Sequence, residues 1–228
     1  MAKLKKNILG QVTGALGEVV FKQFNGENYM ATRPDSFMPG VDPESIARRS
    51  RFALAIRLAR AINQSERLKS IWSIKTPAGV SVFNYIFKRN YPFVSPSGVS
   101  DGAMLIPDVG FGVTVTAVNL TSTGLTVDIS AIGTNAGIIT ASEPNISMIA
   151  VLFLSNPADP LQPAYNYLTL ESGNLSTTLN TALSFSALLT SQETQLFNLY
   201  QDQKAFFVLT TLDASGAVVH YSSTVLAV

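Results

Sequence analysis

Fifteen of the 16 Lys and Arg residues stand before Gly102, and only Lys204 follows. The first 102 residues carry 15 basic and 7 acidic side chains, a difference of +8. The remaining 126 carry 1 basic and 8 acidic, a difference of −7. The formal net charge of +1 therefore conceals two halves of opposite sign. A chain built this way can attract its own copies head to tail, which directs attention to assembly before catalysis.

The local pattern changes at the same place. Residues 91–102, YPFVSPSGVSDG, are rich in Pro, Ser and Gly and read as a boundary. Before them, residues 1–16 roughly alternate, with Leu4, Ile8, Val12 and Leu16 on one side of an extended segment. Residues 18–24 and 27–33 flank Asn25-Gly26, the preferred type I′ pair of a two-residue hairpin. Asp42-Pro43 is a helix cap followed by proline at the first helical position. Phe52, Ala55, Ile56, Ala59 and Ile62 then recur at helical spacing. Shorter helices are expected around Leu68, Ile71 and Trp72, and from Thr76-Pro77 to just before Pro92.

After the boundary, strand candidates fall at residues 104–106, 112–120, 125–132, 147–154, 165–170, 183–186, 205–212 and 217–228. Turn pairs such as Thr123-Gly124, Ser172-Gly173 and Ser215-Gly216 separate several of them. One helix is expected at residues 192–203. The predicted fold is an α+β N-terminal domain, a β-hairpin plus helices, followed by an all-β immunoglobulin-like sandwich. The predicted divisions are an extended N-terminal arm at 1–16, a hairpin-and-helix domain at 17–94, a linker at 95–102 and the sandwich at 103–228.

Little in the chain points to chemistry. There is no cysteine, so disulfides, thiol catalysis and cysteine-held metals drop out. His220 is the sole histidine and sits in an apolar strand pattern, which suits a structural role. Gly98-Val99-Ser100-Asp101-Gly102 matches the nucleophile pattern Gly-x-Ser-x-Gly, but lacks the preceding strand and following helix that the motif needs. Gly10, Gly14 and Gly17 lack the Gly-Lys-Ser/Thr ending of a phosphate loop. No catalytic, cofactor-binding or metal-binding residue is predicted, and no small-molecule substrate. The apolar run at 148–154 is too short to span a bilayer. The N-terminus, whose apolar run is broken by Asn7, Gln11, Thr13 and Glu18, reads as mature protein with no legible signal peptide.

Residues 1–94 resemble a Bacteroidota family catalogued as domain of unknown function 6266. The resemblance is carried by the basic start, Ile8-Leu9-Gly10, Gly14-x-x-Gly17, Val19-Val20 and Gly26-x-x-Tyr29 leading to Arg33-Pro34. Arg48 to Phe52, Phe83-Asn84 and Asn90-Tyr91-Pro92 continue it. It implies a surface or assembly protein, some similar chains resembling extracellular fibre subunits, and it transfers no catalytic residue.

The expected function is a structural subunit of a helical, pilus-like extracellular filament at or beyond the cell surface. Residues 1–16 read either as an edge strand of the chain's own sheet or as an arm; in the filament reading copies would join head to tail, with Leu4, Ile8, Val12 and Leu16 adding a strand to a neighbour. Arg48, Arg49, Arg51, Arg57 and Arg60 would form a basic face meeting the acidic half of the next copy. Two alternatives are a phage or virus-like particle component, such as a tail or decoration protein, and a nucleic-acid-binding module. The same arginines suit phosphate contacts, but the acidic second half would repel nucleic acid.

Overall fold

Strand-forming residues on either side of a two-residue gap set the first fold element. Val19–Phe24 (β3) and Glu27–Thr32 (β4) pair antiparallel, with Phe24 opposite Glu27, as a two-residue connection requires. In a computed structural model of the chain, residues 2–3, 14–24, 27–33 and 39–227 are described; Asn25 and Gly26 lie outside them. Ala2–Lys3 (β1) pairs with β4, and Gly14–Leu16 (β2) pairs with β3. The order is β1-β4-β3-β2. The two described pieces of the expected extended arm thus pair with opposite edges of the chain's own hairpin. The chain divides into two units, residues 1–46 and 47–228.

A long helix, Pro43–Gln64 (α1), begins in the first unit, where the Asp42 carboxylate accepts from the Ser45 amide at 2.8 Å. In the second unit its apolar stripe buries Leu54, Ala55, Leu58, Ala59, Ala61 and Ile62. Of the expected stripe, Ala55, Ala59 and Ile62 are buried, while Phe52 is half exposed and stacks edge-on against Phe87 at 5.2 Å. Glu66–Lys75 (α2) buries Leu68, Ile71 and Trp72, and the Trp72 indole donates to Leu105 O at 2.7 Å. Val82–Asn90 (α3) starts five residues later than a Thr76 cap would have it. Gly79 takes φ +81°, which breaks the helix, and the Ser81 hydroxyl then caps by accepting from Asn84 N.

Asn90 closes α3 from a fully buried position. Its amide donates to Ile86 O and Met104 O, and its carbonyl accepts from Met104 N. The chain then makes a tight hairpin, Val94–Ser95 (β5) with Gly98–Val99 (β6). Residues 95–102 are therefore not a linker between domains: Val94 and Val99 are buried in the same core as the helices. Residues 104–106, expected as a strand, are irregular, yet Leu105 and Ile106 are buried in that core too.

Two antiparallel sheets follow. One contains Val115–Thr121 (β7), Gly124–Ile129 (β8) and, beyond the next three strands in sequence, Leu183–Leu188 (β12), in the order β12-β8-β7. The other is built on Asn145–Pro157 (β9) and Tyr165–Glu171 (β10). It also takes Leu175–Ser176 (β11), Tyr200–Leu212 (β13), Val218–Tyr221 (β14) and Val225–Leu226 (β15). Its main order is β10-β9-β13-β14, with β11 extending along β9 and β15 along β13. The helix expected at 192–203 spans only Ser191–Phe197 (α4), opened by a reciprocal Thr190–Glu193 capping box. Tyr200 already belongs to β13.

The two long strands β9 and β13 are buried on both faces. Ile149, Val151, Phe153, Phe206 and Val208 face the helices. Met148, Ala150, Leu152, Leu154, Ala205, Phe207 and Leu209 face Leu125, Val127, Ile129 and Phe185 of the three-stranded sheet. The period of two thus deals alternate side chains into two cores. Among the described residues the protein is mixed, with four helices and mostly antiparallel strands in several sheets, largely β. The helices do not form a separate domain with the hairpin. They share a core with the strands, because β9 and β13 need cover on their second face.

Candidate functional site

The predicted assembly arm reaches the described residues only at Leu16; Leu4, Ile8 and Val12 lie outside them. Leu16 is 75% exposed. Cross-strand partners in an antiparallel sheet share a face, and the register places Leu16, Val19, Phe21 and Met30 together. None of the four is buried, and among the described residues of the first unit no apolar side chain is. Asn28 alone is buried there. The sheet therefore presents an apolar face that it does not cover itself.

The five predicted arginines do not form one face. At about 100° per residue, Arg49 and Arg60 point to the side of α1 opposite its buried stripe, whereas Arg51 falls within that stripe. Arg51 donates to Tyr91 O at 2.9 Å and stacks 4.2 Å above the Tyr91 ring. Arg57 donates to Tyr165 O at 3.1 Å, with its guanidinium 5.0 Å from the Tyr165 ring. Arg48 and Arg49 are exposed at the start of the second unit. Two of the five are thus engaged with the body's own tyrosines, because a helix of this length turns its arginines around the full circumference.

The charge split is also spent in part within the chain. Lys75 pairs with Asp108 at 2.8 Å and Arg67 with Glu171 at 3.8 Å. Lys204, the only base of the acidic half, pairs with Asp101 of the basic half at 2.7 Å. Bases of α2 thus meet acids of β10 and of the segment before β7, which the sequence showed only as opposite halves.

A polar cluster missed by the sequence reading lies beside β13 and β14. Glu143 is 1% exposed. One of its oxygens accepts from Ile139 N at 3.0 Å. The other accepts from the Thr211 hydroxyl and from His220 Nδ1, the latter at 3.0 Å. Burial would push the Glu143 carboxyl up, but these donors outweigh it and hold it below the usual carboxylate range. His220 lines a cavity of about 540 Å3 with Phe111, Ser130, Asn135 and Tyr221. Its one tethered nitrogen helps fasten the 139–143 turn to the sheet. Ser100 of the Gly-x-Ser-x-Gly match sits just after β6, where its amide donates to Phe93 O, and no helix follows. No group of three or more metal-ligating side chains comes together among the described residues. No helix among them is long and apolar enough to cross a membrane.

No family model matches the chain, and no curated protein does. Among solved structures, DesR, a β-glucosidase from Streptomyces venezuelae in complex with D-glucose, is similar over 54% of this chain at 12% identity and a TM-score of 0.22. A β-glucosidase from Kluyveromyces marxianus is similar over 53% at 10% identity and a TM-score of 0.18. The chain spans 16% of the length of each. Likeness at this level defines neither fold family nor activity.

Proposed function

We propose that the protein is a structural subunit of a pilus-like extracellular filament, joined to its neighbours through the N-terminal sheet. One observation carries the reading. Residues 47–228 bury two complete apolar cores, while the described part of residues 1–46 buries no apolar side chain and carries Leu16, Val19, Phe21 and Met30 on one face. A small sheet is stable when a second layer covers its apolar face. A second copy is the occupant that a repeating structure supplies. The contact is heterologous, so it need not close into a ring and can propagate. The edges β7 and β12 of the three-stranded sheet offer backbone groups for strand addition.

The strand order supports the immunoglobulin-like reading of the β part. Counting β7, β8, β9, β10, β12, β13 and β14 as seven successive strands, the first, second and fifth form one sheet. The third, fourth, sixth and seventh form the other. Such sandwiches serve widely as extracellular building blocks, and the resemblance of residues 1–94 to the Bacteroidota family is in keeping with that setting. The arginines spread around α1 do not favour nucleic acid, which a basic stripe on one side would.

The test is removal of residues 2–40, which leaves the Asp42 cap and the whole second unit. The shortened chain should melt as the full chain does and form no filaments by negative-stain microscopy. Filaments of unchanged appearance from the shortened chain would refute the reading.

A further inference from the structure

The geometry points to a carboxylate-binding cleft between α1 and β10, filled in the polymer by an acidic side chain of a second copy. The choice of occupant rests on the filament reading above; the cleft does not. Arg57, Arg60 and Gln64 recur at i, i+3 and i+7, so they form a stripe along α1. Across a cavity of about 440 Å3 the stripe meets Asn166 and Tyr167. The walls are fixed to each other. The Thr169 hydroxyl donates to Ala61 O at 3.0 Å and the Tyr167 hydroxyl to Leu54 O at 3.4 Å.

The donors in this cleft are only partly used. Arg57 is held in place by Tyr165, whose carbonyl takes one of the five N–H groups a guanidinium carries. Arg60 enters no hydrogen bond or ion pair among the described residues, and neither does the Gln64 side chain. The Asn166 carbonyl accepts from Tyr167 N at 2.9 Å and its amide donates to the Tyr200 hydroxyl, so Asn166 forms a fixed wall of the cleft. Two guanidinium groups with unspent donors, beside the Gln64 amide, match a planar carboxylate, which accepts two parallel N–H bonds.

The chain itself supplies such a group. Asp101, Asp108 and Glu171 are taken by internal ion pairs and Glu143 is buried. Asp159 and Asp202 are exposed and enter no ion pair among the described residues. A nucleic-acid phosphate is the rival ligand, and the excess of 8 acidic over 1 basic residue after position 102 opposes it.

Two measurements on the full chain test this. A triglutamate peptide titrated into the protein should bind in low salt, weaken as salt rises, and lose its affinity in Arg60→Glu. Arg60→Glu should also raise the concentration needed for assembly about tenfold, because the substitution turns attraction into repulsion. Lys88→Glu, the same charge change at an exposed site on α3, should leave both unchanged. Absence of peptide binding, or equal losses in Arg60→Glu and Lys88→Glu, would overturn the cleft. Binding of a phosphate oligomer in place of the peptide would overturn the carboxylate preference. Peptide binding by a chain that never assembles would overturn the occupant and the filament reading together while the cleft stands.

Discussion

The two sheets at the ends of this chain use the same backbone pairing and differ in what lies on their faces. In the N-terminal sheet, β3 and β4 pair in full register, yet Phe21 and Met30 remain half-buried and Leu16 exposed. In the body, β9 and β13 pair over almost their whole length, and unbroken buried runs, residues 146–154 and 205–212, lie on one face under helices and on the other under a second sheet. Backbone pairing therefore sets geometry, and coverage sets stability. Each net backbone hydrogen bond contributes about 1 kcal/mol, while fully burying one large apolar side chain contributes about 1.5–3 kcal/mol.

Substitutions can break or sharpen this contrast. The largest effect should come from Trp72→Ala, which empties a fully buried site and strands the Leu105 carbonyl. A loss of about 3–5 kcal/mol in urea unfolding is expected. Glu143→Ala should follow at about 2 kcal/mol, because the Ile139 amide and the Thr211 hydroxyl lose a charged acceptor. The same group predicts an acid response. Its carboxyl is held below the usual carboxylate range, so its contribution is present above that range and is lost as pH falls through the folded-state value. A pH series of melting curves should show a shallower acid limb in Glu143→Gln than in the native chain. Thr190→Ala, which removes one arm of the α4 capping box, should cost about 1 kcal/mol. Leu16→Ser should change monomer stability by less than about 0.5 kcal/mol. A loss of several kcal/mol there would mean that the N-terminal sheet is covered within the monomer, and the contrast would fail.

Local signals in the sequence were legible where residues act on near neighbours. Asn25-Gly26 located the β3–β4 hairpin, Asp42-Pro43 located the start of α1, and most strands fell within a few residues of their observed limits. What escaped was the second layer. The runs MIAVLFL and AFFVL have the length of ordinary strands, but a strand with no polar alternation is one covered on both sides. That signal would have placed the helices on the sheet and dissolved the boundary at 95–102. The Glu143 cluster was illegible for another reason. Its members Ile139, Glu143, Thr211 and His220 are brought together only by the pairing of β13 with β14 and by the turn before β9. Opposite charges at Lys75 and Asp108 were visible as totals and not as a pair, since nothing local joins them.

The burial of β9 and β13 between helices and a second sheet has a consequence for synthesis. A ribosome makes α1, α2 and α3 first and completes Leu209 only 119 residues after Asn90. At roughly 5–20 residues per second, the oily sides of these helices wait about 6–24 seconds for the strands that will sit beneath them. During that interval the nascent chain needs a chaperone or an unfolded state that tolerates delay, so its yield in a cell should depend on translation speed through the stretch between residues 91 and 209.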